Sequence, residues 1–133
     1  MRSSIFDTIR YAPIIEVRPA EMMALETLPE KDKGLLSPIL KLRPWASALE
    51  LDKSVSRIKA AFGNRSCFLA LAELDFADAT RPVHHDLRAL TNPANGFEAW
   101  RSYFLNPEHS QFIPCAQITH PEEFELQVQG FAS

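Results

Sequence analysis

The chain has 133 residues, 46% of them hydrophobic and 23% charged, which is enough for one domain with its own core and no disulfide or metal staple. Its 14 basic and 17 acidic side chains leave a net charge of −3, which argues against a nucleic-acid module built on a basic stripe. No stretch reaches the roughly 18 uninterrupted apolar residues of a membrane helix, and Met1 to Arg10 lacks the apolar run of a signal peptide, so the expectation is a reduced, cytoplasmic protein.

Residues 1–10 read as an N-terminal extension and residues 11–133 as a single α/β domain. The first strand is expected in Ala12-Pro13-Ile14-Ile15-Glu16-Val17-Arg18-Pro19, where apolar and polar residues alternate between two prolines. Proline lacks an amide donor, so it suits the first residue of a strand, and the second proline can open a helix. That helix runs from Ala20 to Leu28, with Met22, Met23, Leu25 and Leu28 at three- and four-residue spacings. Thr27 and Glu30 have the spacing of a capping box for a further short turn ending near Gly34.

The phrase then repeats as Ser37-Pro38-Ile39-Leu40-Lys41-Leu42-Arg43-Pro44, the second strand. A second helix is marked by Leu49, Val55, Ile58 and Phe62 and closed by Gly63-Asn64. The third strand is expected over Cys67 to Phe76. Helical spacing returns from His84 to Leu90, breaks at Thr91-Asn92-Pro93-Ala94-Asn95-Gly96, and resumes from Phe97 to Leu105. A weaker echo of the strand phrase, Ile113 to Pro121, gives the fourth strand, and Glu122 to Val128 the last helix. Four consecutive β-α units of this kind imply parallel strands joined by crossovers.

Side chains two apart on a strand share a face. By that count each strand has one apolar face, while the other turns polar toward its carboxyl end. A doubly wound sheet buries both faces and reads as nearly continuous apolar strands. The pattern here fits a barrel wall better, so the expected fold is a partial, half TIM-barrel-like arrangement of about four β-α units. Glu16, Arg18, Lys41, Arg43, Glu73, Asp75 and Gln117 are expected on the polar face. Arg18, Lys41 and Arg43, with Glu16 and Gln117, form the candidate ligand site, suited to an anionic group. Glu73 and Asp75 are the weaker candidates for moving protons. Against this stands an ion-pair network that neutralises itself and does no chemistry.

Other features carry less. His84 and His85 are adjacent on a helix and point about 100° apart, so they do not share one metal ion, and no metal site is expected. His120 lies just beyond the fourth strand and is a candidate for the rim, although a lone histidine is more often structural. Trp45 follows a strand end and is a candidate cap for a binding mouth, whereas Trp100, Tyr103 and Phe104 have core spacing with Phe97. Cys67 and Cys115 form no C-x-x-C pair. The four glycines build no G-x-G-x-x-G or P-loop, and no nucleophile elbow occurs, so no cofactor is expected.

Tyr11-Ala12-Pro13-Ile14-Ile15-Glu16, the stretch Leu25 to Leu36, Pro38-Ile39-Leu40, Asn95-Gly96-Phe97-Glu98-Ala99-Trp100 and Phe112 to Ile118 together resemble the phage-related "beta protein" family. The resemblance implies a setting in phages or mobile elements, and it supplies no catalytic residue to carry over. Members of that family are typically much longer, and eight strand–helix units need about 200 residues or more. Four units would leave open strand edges, which invite pairing. The expectation is therefore a truncated copy or a homodimer of half-barrels, or else a partner covering the open sheet edge, with the chain acting as an interaction or accessory protein. The alternative is an enzyme, or a descendant of one, with an anion-binding rim.

Overall fold

The computed structural model describes residues 11–45, 50–73 and 82–132. Strands β1 (Ile14–Glu16), β2 (Ile39–Leu42), β3 (Cys67–Leu71) and β4 (Phe112–Pro114) form one sheet in the order β1-β2-β3-β4. Every neighbouring pair is parallel. Helices α1 (Pro19–Thr27) and α2 (Glu30–Lys33) follow β1, and α3 (Asp52–Phe62) follows β2. Helices α4 (Pro82–Leu90) and α5 (Ala94–Tyr103) separate β3 from β4, and α6 (Phe124–Ala132) comes last. The α/β class and the parallel strands match the periodicity of the sequence.

The two faces of the sheet differ. Leu40, Leu42, Cys67, Leu69 and Phe112 are buried, and with Val17 they join Met22, Leu25, Val55, Ile58, Phe62, Leu87, Phe97 and Trp100 of the helices in one apolar core. Alternate residues turn the other way. Ile14, Ile39, Phe68 and Ile113 lie in one hydrogen-bonded row across all four strands. None of the four belongs to that core, and Ile14 is 66% exposed. The described helices therefore pack on one face only. Strands in sequential order with crossovers of one hand place their helices in this way.

Several local expectations are corrected. Thr27 forms no capping box, because its hydroxyl donates to the Ala24 carbonyl at 3.0 Å in the last turn of α1. Helix α3 starts at Asp52, and Leu49 lies outside the described residues. Strand β3 stops at Leu71, while Leu74, Asp75 and Phe76 lie outside the described residues. Strand β4 stops at Pro114: the Cys115 N–H still donates to the Leu69 carbonyl at 2.9 Å, and the Gln117 groups beyond it bond to helices. The last helix is preceded by a short 3-10 turn at Pro121–Glu123. The predicted break before Phe97 is a left-handed turn in which Asn95, Gly96 and Phe97 all have positive φ.

Candidate functional site

Parallel strands end together, so the residues after β1 to β4 share one rim. In α/β folds this end carries the functional groups. Its β1–β2 half is built around Glu16. The Glu16 carboxylate meets the Arg18 guanidinium at 2.6 Å and that of Arg43 at 3.2 Å. Arg43 is held from behind, because the buried Ser54 hydroxyl donates to its carbonyl at 2.6 Å. Lys41 sits beside Glu16 in the register and is half-buried on the uncovered face. The structure thus gathers Glu16, Arg18, Lys41 and Arg43.

The other predicted members do not join them. Lys41 pairs in register with Ala70, not Glu73, and Glu73 is an exposed residue two positions past β3. Asp75 lies outside the described residues. Gln117 is turned to the helices: its side-chain amide donates to the Leu90 carbonyl at 2.7 Å. The cause in β3 is that Cys-Phe-Leu-Ala-Leu-Ala is apolar on both faces, so alternation alone did not set its phase. Trp45 packs partly against the core, with the Arg57 guanidinium 5.8 Å from its ring centroid, so it lies on the helix side.

The β3–β4 half holds a cleft of about 410 Å³. Its polar lining includes Glu73, Thr91, Cys115, Gln117, Thr119 and His120, with Leu71 and Ile118 among the apolar walls. Of these, Glu73, Gln117 and His120 stood out in the sequence. Thr91, Cys115 and Thr119 did not, because they come from separate elements and share no motif.

The segment after β4 is irregular and yet firmly held. Its Gln117 N–H donates to Gln127 Oε1 and its Gln117 carbonyl accepts from Gln127 Nε2, both at 2.9 Å. Gln127 is fully buried in α6, and this exchange satisfies its amide. The fully buried Trp100 donates its indole N–H to the Cys115 carbonyl at 2.9 Å. Burial pushes the Cys115 thiol up, and it pushes Cys67 up to about 12, so neither thiol presents a ready thiolate. His120 has its Nδ1 3.1 Å from the Thr119 hydroxyl oxygen. Its ring meets that of Phe97 edge-on, at 6.0 Å between centroids.

A family model described as Beta protein matches residues 11–132. The chain belongs to the Beta protein family. A second finding agrees: the chain is 25% identical over 125 residues to "Protein beta" of Enterobacteria phage P4. The match covers 92% of this chain and 32% of the phage protein, so the chain spans about a third of the length of that curated relative. No solved structure is a significant match. Membership fits the sequence resemblance and sets a phage context without naming a reaction. No described helix is long and apolar enough to cross a membrane.

Proposed function

We propose that this Beta protein family chain is an interaction module whose sheet is a section of a barrel-like wall, and that a second copy of the chain completes it. The observation that carries this reading is the apolar row Ile14, Ile39, Phe68 and Ile113, in register across four strands on the face that the described helices leave uncovered. Bulky apolar residues in such rows fill the interior of parallel barrels. The outer strands β1 and β4 each pair on one side only among the described strands. A twofold axis along the strand direction would set β4 of one copy beside β1 of the other and keep all strands parallel.

The competing reading, an enzyme with an anion site at Arg18, Lys41 and Arg43, has less support. Both arginines already share the Glu16 carboxylate, and an incoming anion would have to displace it. Light scattering on the chain tests the proposal together with Phe68→Asp, which places a charge in the centre of the row. A dimer that Phe68→Asp converts to a folded monomer is expected. A monomer at every concentration, with a melting curve indifferent to Phe68→Asp, overturns it.

A further inference from the structure

We propose that the cleft between the ends of β3 and β4 is a binding site for a small, neutral or cationic molecule with an edge rich in N–H groups, held by Glu73 and His120. This site borders the uncovered sheet face at Ala70, but it does not rest on the self-association proposed above, and its test reads ligand binding instead of oligomeric state.

The first support is place and size. The cleft opens at the carboxyl ends of two adjacent parallel strands, where α/β folds bind their ligands. Its volume of about 410 Å³ suits a small molecule.

The second is the construction of its wall. The Cys115 N–H makes the last ladder bond, to the Leu69 carbonyl at 2.9 Å, and from Ala116 to His120 the strand ladder no longer fixes the backbone. Two fully buried residues with polar groups, Gln127 and Trp100, are committed to holding it. Burying an amide solely to hold an irregular loop is costly unless every bond is made. Rigid support behind an irregular segment is the usual construction of a preorganised site.

The third is strain. Phe97 is fully buried at φ +57°, a conformation that non-glycine residues adopt at a cost. The turn is locked from both sides. Gly96 N–H donates to Glu123 Oε2 at 2.8 Å, and Arg101 donates to the carbonyls of Asn95 and Gly96. A Cβ at Gly96 would come within 2.9 Å of the Gln127 backbone nitrogen, so only glycine lets α5 approach α6 this closely. The outcome of the strained turn is the Phe97 ring set edge-on against His120.

The lining then defines the ligand. Thr119 engages Nδ1 of His120, and no described residue bonds Nε2, which leaves that atom for a guest. Among the described residues, Glu73 is the one carboxylate of the lining, and no Lys or Arg contributes to it. A phosphate-like anion is therefore disfavoured. A carboxylate instead accepts two parallel N–H bonds from an aminoheterocycle or a guanidinium. The apolar walls suit a flat body attached to such an edge.

NMR of the histidine ring Cε1–H signals in the full chain, which has four histidines, tests the site. The probes are adenine, cytosine and agmatine, with inorganic phosphate as the anionic contrast, and His120→Asn assigns the signal. A saturable shift of the His120 signal with at least one of the three nitrogenous probes is expected. Glu73→Gln should weaken that binding about tenfold by removing a charged acceptor. Glu73 is exposed, so this variant should melt like the parent, and Glu21→Gln on α1 should bind like the parent. A His120 signal unmoved by all three probes overturns the proposal. So does a shift that Glu73→Gln leaves intact, or saturation by phosphate instead.

Discussion

The two faces of one sheet are built from the same four strands and treated in opposite ways. On the helix side, Leu40, Leu42 and Leu69 are completely buried under α1, α3, α4 and α5. On the other side, Ile14 is largely exposed, and Ile39, Phe68 and Ile113 keep partial exposure outside the core. Apolar residues on both faces are what a strand buried on two sides requires. The covered face accounts for the stability of this chain, and the uncovered face is apolar beyond what the described fold uses. Composition does not separate them; the neighbours do.

The largest effect should come from the covered side. Trp100→Ala removes a fully buried ring that stacks 5.9 Å from Tyr103 and holds the Cys115 carbonyl. A loss of about 3–5 kcal/mol in chemical denaturation is expected. A loss under about 1 kcal/mol would show that the helical layer is not the stabilising one. Gln127→Leu keeps the bulk and strips both bonds from the Gln117 backbone. It should cost about 2 kcal/mol, the penalty of unpaired interior amide groups.

On the uncovered side, Ile39→Ala should cost the dissociated chain less than about 1 kcal/mol, because little packed surface is lost. If sedimentation shows the same substitution weakening self-association while the isolated chain is unchanged, the contrast between faces is sharpened. Arg43→Ala should be smaller still, about 0.5 kcal/mol or less by thermal melting, since Glu16 keeps Arg18 and the pair is solvent-accessible. The thiols give the last contrast. Both are raised by burial, so each stays protonated to higher pH than a free cysteine. Alkylation at mildly alkaline pH should be slow at Cys115 and slower at Cys67 in the core. Equal rates for the two would contradict the burial order.

The strands and helices were legible because their signals are local. Proline before and after an alternating run marks β1 and β2, and the break at Thr91–Gly96 marks the entry to α5. The cluster Glu16, Arg18, Lys41 and Arg43 was legible too, since the repeated phrase puts all four at the same strand end. Glu73 and Gln117 lie apart from that cluster for the same physical reason, although both line the β3–β4 cleft. Side-chain alternation holds only while the ladder continues, and β3 and β4 both stop earlier than the alternating letters do. Beyond Cys115, partners on α4 and α6 orient the chain.

From its letters alone the chain determined its class, its parallel β-α order and its kinship with the Beta protein family. Each rests on patterns that span a few residues or on the ordered set of phrases. Tertiary structure decided which face of the sheet the helices cover, where β3 and β4 end, and that Glu73 and His120 line one cleft. Those facts depend on contacts between segments far apart in the chain, such as Gly96 with Glu123 and Gln117 with Leu90. No local pattern encodes such contacts, because they form only when the helices pack and their polar groups find partners.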